Sequence, residues 1–426
     1  MEIEHESRWR RGRRGTLNME TSNQQLIEEY IKLAFSIEEC MPGYVDSYFG
    51  PEELKAHAKQ DGKIPLQSLT ERTARLASDI LQADMDAQRK DFLTRQVAAM
   101  QMSVRLLVGE QVSLAEETQA LYDVQPGWKD ETIVEEGHKE LASLLPPGNS
   151  LPERMQAWNR SLEIPIEKVK ELAPIIIKRL RELTHIKFDL PENETFSLEF
   201  VSDQPWGAYN WYLGGFQSRI DFNTDLPSQV NGLAGLLAHE GYPGHHTELS
   251  IKEKKLVRQK QYYELTINLI NSPSCVVAEG IATSALKTIL TKSELEDWYR
   301  KEILPLAGMT HIDAKRLMDI GNARMKMFGV IGNAAFMMYD QNKSEDEISD
   351  YLQRLGLYTK KQAGQHIKFI SNPLYRSYIF TYHVGYDLFE ELFSRVNRDT
   401  YFKRILEEPV TPSQIRQWIS TNSKPN

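Results

Sequence analysis

The sequence predicts a mainly α-helical fold with one small β-sheet, and two observations support this prediction. Apolar residues recur at the three- and four-residue spacing of an amphipathic helix along most of the 426 residues. The exception lies between residues 195 and 224, where two short segments alternate apolar and polar residues in the manner of half-buried strands.

Helical spacing is clear in Leu26, Tyr30, Leu33 and Ile37, and again from Ile166 to Leu183. We expect further helices near 66–107, 113–124, 130–145, 229–239, 252–271, 275–291, 312–340, 360–370 and 374–396. Residues 146–150, Pro-Pro-Gly-Asn-Ser, are the clearest loop and a candidate hinge. The sequence shows no internal repeat.

The two predicted strands are Phe196–Val201 and Phe216–Phe222. The segment that joins them is rich in glycine and contains four aromatic residues: Trp206, Tyr209, Trp211 and Tyr212. These rings either line a substrate cleft or pack a loop against the helices. The sheet comes directly before a predicted helix, so its edge either accepts an extended peptide by strand addition or only covers the core.

Composition excludes several classes of function. The 60 acidic residues outnumber the 51 basic ones and give a net charge of −9, so we expect no nucleic-acid partner. The sequence contains no run of 18 or more apolar residues, so we predict no membrane-spanning helix. Cys40 and Cys275 lie far apart and no secretory segment is evident, so we expect a cytoplasmic protein without a disulfide framework. No feature predicts an oligomeric state.

The sequence suggests three regions. Residues 1–20 form a basic tail, with five arginines between Arg8 and Arg14, and we expect it to be disordered rather than an arm for nucleic acid or membrane. Residues 21–190 are predicted to be an N-terminal helical region. Residues 191–426 contain the predicted sheet and the motif described next.

The motif lies at residues 239–246, which are His-Glu-Gly-Tyr-Pro-Gly-His-His. In the zinc-protease pattern H-E-x-x-H, two histidines share one helical face and the Glu activates water. His245 is six positions from His239, a rotation of about 240° that puts it on another face of a continuous helix. Pro243-Gly244 can break the helix and return His245 or His246 to His239. We therefore predict a metal-hydrolase site with Glu240 as the base.

A third ligand must come from another element, because catalytic zinc has three protein ligands and one open position. Glu279 lies within the apolar segment 276–283, where an ionised carboxylate is costly unless it is paired or binds a metal. We expect it to be the third ligand. The alternatives are a salt bridge to an arginine or a place on an exposed edge of the helix.

These motifs resemble the bacterial domain-of-unknown-function family 885, whose members resemble gluzincin metallopeptidases. The likeness rests on residues 239–246 and on Glu279-Gly280 with Ala282. Residues 42–51 resemble the family's N-terminal signature and residues 377–385 its C-terminal Tyr and Gly segment, so the resemblance spans roughly residues 25 to 390. The chain has Ile281 where the family more often has Trp.

The resemblance implies a large helical zincin-like fold with zinc held by His239, His245 and Glu279 and with Glu240 as the general base. His246 would then support a ligand or contact substrate. Tyr382 or His383 is expected to donate to the oxyanion formed during hydrolysis, and Arg376 to hold a substrate carboxylate.

The sequence therefore predicts a zinc metallopeptidase that hydrolyses short peptides. Two alternatives are a metal-dependent hydrolase of a small amide or ester and a non-enzymatic, peptide-binding relative. The sequence predicts neither the length of the substrate nor the end from which it is cut.

Overall fold

The structure is a computed structural model that describes residues 17–204 and 206–422. Helices dominate the described residues, which confirms the predicted fold class. In chain order they are α1 (Leu17–Glu38), α2 (Glu52–Asp61), α3 (Leu66–Gln82), α4 (Ala87–Leu107), α5 (Leu114–Tyr122), α6 (Glu131–Leu144), α7 (Leu151–Ser161), α8 (Ile166–Lys187), α9 (Val230–Glu240), α10 (His245–Lys252), α11 (Pro273–Ile289), α12 (Lys292–Trp298), α13 (Leu304–Leu306), α14 (Ala314–Met325), α15 (Val330–Tyr339), α16 (Glu345–Leu355), α17 (Lys360–Ile370), α18 (Ile379–Arg395), α19 (Arg398–Glu407) and α20 (Pro412–Thr421). None of the helices in the described ranges is long and apolar enough to cross a membrane.

Within residues 17–204 and 206–422, short strands form three small sheets. The strands are β1 (Val45–Tyr48), β2 (Glu163–Ile164), β3 (Thr195–Val201), β4 (Ala208–Gly214), β5 (Gln217–Asn223), β6 (Ser228–Gln229) and β7 (Ile267–Leu269). The largest sheet has the order β3-β5-β4, in which β5 is parallel to β3 and antiparallel to β4. The other two sheets are the antiparallel pairs β1-β7 and β2-β6.

The apolar side chains form two large clusters. One is built from α1, α3 and α4 and also contains Ile267 and Leu269 of β7. The other extends from Leu114 to Ile419 and includes residues on both sides of position 190. The second cluster therefore contains residues from both sides of the boundary that we predicted at residue 190, and β7, from the C-terminal side, packs within the first cluster.

Several predicted helices differ from the observed ones. The predicted helices 66–107 and 312–340 are each divided in two, the second at Gly329, whose φ of +106° is incompatible with helix. The predicted helix 252–271 is wrong beyond Lys260. A π-helix covers Glu253–Arg258, a short 3-10 helix covers Tyr263–Thr266, and β7 follows because Ile267 and Leu269 pair with β1.

The segment between the two predicted strands is itself largely the strand β4, which the sequence analysis treated as a connection. Its pairing with β5 places Tyr209 opposite Asp221 and Trp211 opposite Arg219. The loop at 146–150 is confirmed, since α6 ends at Leu144 and α7 begins at Leu151. The arginine-rich segment 8–14 lies outside the described residues.

Candidate metal centre

The predicted helix break occurs at the motif. Helix α9 ends at Glu240, and α10 begins at His245 after a turn in which the Tyr242–Pro243 peptide bond is cis. Gly244 N–H donates to the carbonyl of Ala238 at 2.9 Å, so the turn folds back on the end of α9. As a result the His239 and His245 rings lie 4.8 Å apart between centroids and nearly perpendicular to each other.

Only glycine fits at position 244. A Cβ atom there would stand 1.8 Å from the carbonyl oxygen of His239 and 2.4 Å from that of Ala238. Both obstacles are backbone atoms of the helix that carries His239, so neither can move aside cheaply. The close approach that brings His245 to His239 therefore depends on the missing side chain of Gly244.

His239, His245 and Glu279 come together as the sequence predicts. One ligand atom from each lies within 4.8 Å of the others, and Glu279 Oε2 is 3.5 Å from His239 Nε2. Ligands that each stand about 2 Å from one zinc ion are separated by about 3 to 4 Å. The spacing of the three side chains is thus close to that of a metal-binding triad.

The hydrogen bonds of Glu279 fit the same interpretation. Its Oε1 accepts a hydrogen bond from the Tyr378 hydroxyl at 3.0 Å, whereas Oε2 is buried and has no hydrogen-bond partner among the described residues. A buried carboxylate oxygen without a partner is costly. Two imidazoles and this oxygen form a donor set that suits zinc.

His245 is oriented by a carboxylate on its own helix. Its Nδ1 is 3.9 Å from Oε2 of Glu248, which lies one turn further along α10 and also accepts from Lys252 Nζ at 2.5 Å. Burial opposes protonation of His245, but the nearby carboxylate of Glu248 and the charges of Glu279 and Glu240 raise its pKa to about 9. The surroundings therefore strongly favour positive charge at this point, as a cation site requires.

Glu240 ends α9 beside His239 and is only 6% exposed. None of the described residues donates a hydrogen bond to its carboxylate. Burial raises the pKa of Glu240 to about 7, with His245 opposing the rise and Glu279 and Asp46 adding to it. A carboxylate that exchanges its proton near neutral pH suits a general base.

Asp46 is a third carboxylate near the triad, and it comes from the N-terminal region. It lies at an irregularity in the β1-β7 pairing, between Val45 and Ser47, and accepts a hydrogen bond from the Tyr209 hydroxyl of β4. Burial raises the pKa of Asp46 to about 6, the charge of His245 opposes this rise, and that of Glu279 adds to it. Asp46 is not one of the three residues that could share one ion.

Close packing of α11 against α18 brings two tyrosines to Glu279. A Cβ atom at Gly280 would meet the Phe389 ring at 2.4 Å, and one at Gly385 would meet the Val276 carbonyl at 2.9 Å. Tyr378 donates to Glu279, and Tyr382 packs edge-on against Tyr378 with 5.5 Å between ring centroids. Burial raises the pKa of Tyr382 most, and the charges of Glu279 and Glu240 raise it further.

His246 does not face the triad. It is fully buried, with Nε2 2.9 Å from Glu194 Oε2 and Nδ1 2.8 Å from the Ser218 hydroxyl. Glu194 also accepts from the Tyr242 hydroxyl at 2.5 Å and from Arg181 at 2.7 Å. The expected contact of His246 with substrate is therefore not seen, because both ring nitrogens are engaged in a buried network.

Two further predicted residues lie away from the triad. His383 is buried beside Gly329, which precedes α15, and Gly332, which lies within it. Burial, followed by the charge of Lys129, lowers the pKa of His383 to about 4. Arg376 is paired with the buried carboxylate of Glu117, which also accepts from the Ser377 hydroxyl. Its guanidinium is thus occupied within the protein rather than directed at a substrate carboxylate.

We predicted no functional role for Asp46, Glu248 or Glu194 from the sequence. A signal existed for Glu248, since a carboxylate three residues after a histidine in a helix can reach it. Asp46 is in the segment that resembles the family's N-terminal signature, but only the fold brings it near residue 245. Nothing in the sequence distinguishes Glu194 from other acidic residues.

Comparisons with known proteins found solved structures of low similarity, and two of them are candidate lipoproteins. One is a crystal structure of a candidate lipoprotein from Colwellia psychrerythraea, with 14% identity and a TM-score of 0.48, covering 83% of this chain and 66% of that one. The other is a candidate lipoprotein of unknown function from Shewanella oneidensis, with 9% identity and a TM-score of 0.46, covering 85% of this chain and 75% of that one. This chain thus spans just under two thirds of the first of them.

No protein family and no curated protein matched the sequence. The resemblance to family 885 and the zincin-like architecture therefore stay predictions.

Proposed function

We propose that this protein is a zinc-dependent hydrolase of peptide bonds, with His239, His245 and Glu279 as ligands. The observation that carries the proposal is the buried Glu279 Oε2, which lacks a hydrogen bond and stands 3.5 Å from His239 Nε2. A carboxylate oxygen in this position is best explained by a cation that binds it.

The groups around the triad suit hydrolysis. Zinc bound there would supply a Lewis acid that polarises a carbonyl group and lowers the pKa of water. The unpartnered carboxylate of Glu240 would take the proton from the attacking water and pass it to the departing amine, so that water is added across the C–N bond. Tyr382 would donate a hydrogen bond to the oxygen that becomes negative during the attack.

The β4 strand supports a peptide as the substrate. It forms one edge of the sheet β3-β5-β4, and Asn210 Nδ2 of β4 donates to the Glu240 carbonyl at 2.7 Å. An extended peptide added to this edge would run beside the end of the metal-binding helix. Such pairing recognises the peptide backbone and demands little of its sequence.

Elemental analysis of the purified protein, combined with digestion of a peptide library, tests the proposal. We expect about one zinc per chain and cleavage that stops in the presence of a chelator and returns with added zinc. The matched control is Glu240→Gln, which preserves shape and metal but cannot accept the proton, and should lower turnover by at least about a hundredfold.

Each alternative has its own outcome in this experiment. Hydrolysis of small esters or amides without cleavage of any peptide would favour the metal-dependent hydrolase of small substrates. Bound zinc with no hydrolysis at all would favour a peptide-binding relative, and absence of zinc would overturn the proposal. The cytoplasmic location and the lack of a nucleic-acid partner stay predictions from the sequence.

A further inference from the structure

A buried carboxylate on α5 holds the turn that precedes α18. Glu117 is 1% exposed, and its two oxygens accept hydrogen bonds from Nε of Arg376 at 3.0 and 2.9 Å. Nη2 of Arg376 and the Ser377 hydroxyl also donate to this carboxylate. A buried ion pair stabilises a fold no better than well-packed apolar side chains would, but it specifies one arrangement of the groups that it joins.

The turn that Glu117 holds carries Tyr378. Residues 371–378 adopt turns and bends rather than helix, and α18 begins directly after them. A segment of this kind has fewer regular backbone hydrogen bonds than a helix, so side-chain bonds contribute more to fixing its path. Arg376 and Ser377 tie the segment to Glu117, and Tyr378 is the next residue. The direction in which Tyr378 leaves the turn therefore depends on those bonds.

Helix α5 also contacts the ring of Tyr378. This ring lies edge-on to that of Tyr122, with 6.2 Å between the centroids. The Tyr122 hydroxyl in turn donates to Asn271 Oδ1 at 2.9 Å, and Asn271 lies two residues before α11. Helix α5 therefore supports both Tyr378 and the start of the helix that carries Glu279.

Tyr378 connects this arrangement to the triad. Its hydroxyl donates to Glu279 Oε1 at 3.0 Å, whereas the buried Oε2 has no partner among the described residues and lies 3.5 Å from His239 Nε2. The terminal torsion of a glutamate has a broad energy minimum, so without this bond the carboxylate would be free to turn and offer both oxygens to an ion. The bond to Oε1 leaves Oε2 as the oxygen that can bind, and so preserves the open position that catalytic zinc needs.

We infer that Glu117 is a positioning residue of the metal centre. Through Arg376 and Ser377 it sets the position of Tyr378, and Tyr378 directs only Oε2 of Glu279 towards the two histidines. The inference rests on the zinc ligands of the proposed function, and adds that the geometry of the centre depends on α5, in the N-terminal part of the chain. Arg376 thus contributes to the site through Tyr378 rather than through a contact with substrate.

A second buried ion pair provides a matched control. Glu264 is also 1% exposed, and it accepts from Arg89 Nε at 2.7 Å and from Arg89 Nη2 at 2.8 Å. Within the described residues, neither side chain of this pair has a hydrogen bond to Tyr378 or to the triad. Glu264→Gln therefore makes the same chemical change as Glu117→Gln at similar burial, but only Glu117→Gln should affect the metal centre.

Zinc titration with a competing chelator measures the effect of each change. Tyr378→Phe removes the bond to Oε1, and zinc affinity should fall by about 10- to 100-fold. Glu117→Gln should lower it by about 10-fold, and by no more than Tyr378→Phe, because its effect passes through Tyr378. For the same reason, the variant with both changes should bind zinc as tightly as Tyr378→Phe alone. Glu264→Gln should bind zinc like wild type, although both glutamine variants lower the melting temperature of the metal-free protein.

Cobalt in place of zinc separates positioning from a general weakening of the fold. Co²⁺ absorbs visible light more strongly with four ligands than with five or six, so its spectrum reports how Glu279 binds. We expect weaker absorption in Glu117→Gln and in Tyr378→Phe, where both oxygens of Glu279 reach the ion. Glu264→Gln should keep the wild-type spectrum.

Ser377→Ala provides a test if Glu117→Gln does not fold. It removes one hydrogen bond from Glu117 and leaves Arg376 in place. Zinc affinity should fall by about 3- to 10-fold when this change is made in wild type, and should not fall further when it is made in Tyr378→Phe.

Three results would overturn the inference while the zinc centre stands. They are wild-type zinc affinity and cobalt spectrum in Glu117→Gln, equal loss of zinc affinity in Glu117→Gln and Glu264→Gln, and a doubly changed variant that binds zinc more weakly than Tyr378→Phe. These measurements use no peptide, so a wild-type protein that binds zinc without hydrolysing peptides would overturn the proposed function and leave the positioning role intact. A wild-type protein that binds no zinc would overturn both.

Discussion

His245 and His246 are adjacent in sequence and occupy opposite kinds of environment. The His246 ring has a partner at each nitrogen and belongs to a buried network around Glu194. The His245 ring lies in the triad, where the buried Glu279 Oε2 has no hydrogen-bond partner among the described residues. Completed hydrogen bonds indicate a structural role, and incomplete ones on buried groups indicate a place for a ligand.

The difference follows from the turn between α9 and α10. Consecutive residues at the start of a helix point about 100° apart, so one ring meets the end of α9 and the other meets the sheet. The sheet provides Ser218 from β5, and the residue just before β3 provides Glu194. The network therefore holds the turn in place while the triad lies open on its other side.

Replacing His245 should have the largest effect on metal binding. His245→Ala removes one of three ligands, and zinc affinity should fall by well over the roughly 100-fold that loss of a supporting contact causes. The melting temperature of the metal-free protein should stay near that of wild type, because the His245 side chain is partly exposed and forms no hydrogen bond within the described residues. Zinc titration with a competing chelator measures the affinity. If His245→Ala bound zinc as tightly as wild type, His245 would not be a zinc ligand.

Replacing Gly244 should disturb the same site through the backbone. Gly244→Ala places a methyl group against the His239 and Ala238 carbonyls, so the turn must open and His245 must move away from His239. We expect zinc affinity to fall by about 100-fold or more. Gly232→Ala is the matched control, since its Cβ meets nothing within 4 Å and alanine should stabilise α9 by up to about 1 kcal/mol. Normal zinc binding by Gly244→Ala would show that zinc binding does not require the close approach of the residue 244 backbone to the end of α9.

Replacing His246 should instead weaken the fold. His246→Ala leaves a cavity and deprives buried Glu194 of a hydrogen bond, which should cost about 3 kcal/mol of unfolding free energy. His185→Ala is the control, because His185 also lies 3.4 Å from Glu194 but is 37% exposed. Urea denaturation of the metal-free proteins gives both values. An unchanged stability for His246→Ala, with zinc binding lost, would reverse the roles given to the two histidines.

The smallest effect is expected at Glu248. Glu248→Gln removes the charge that favours and orients the His245 ring while Lys252 stays nearby, and zinc affinity should fall by about 10- to 100-fold. The loss should appear as faster zinc dissociation at unchanged stoichiometry. A variant that binds less than one zinc at saturation would mean that Glu248 is itself a ligand.

Local signals in the sequence pointed to His239, Glu279 and one of the two adjacent histidines, and the choice of His245 over His246 came from the resemblance. The proline and glycine between the histidines indicated the break, and Glu279 stood out as a carboxylate in an apolar helix. The mainly helical fold was likewise predictable, because apolar residues recur at the three- and four-residue spacing of a helix. The strand β7 was missed because Ile267 and Leu269 fit a helical pattern as well as a strand, and only pairing with β1 decides between them.

Long-range partners could not be predicted. Arg376 and Glu117 are 259 positions apart, and their ion pair depends on how α5 packs beside the start of α18. His383 follows Tyr382 directly, but on a helix the next residue points to another side, here towards Gly329 and Gly332. The location of Asp46 beside residue 245 likewise depends on the β1-β7 pairing.

Anomalous scattering from zinc-soaked crystals, recorded on both sides of the zinc edge, tests the central claim most directly. The account predicts one strong peak about 2 Å from a nitrogen of His239, a nitrogen of His245 and Glu279 Oε2, with the His246 ring still bonded to Glu194 and Ser218. A map without a peak at the triad, or with the peak coordinated by His246, would contradict it.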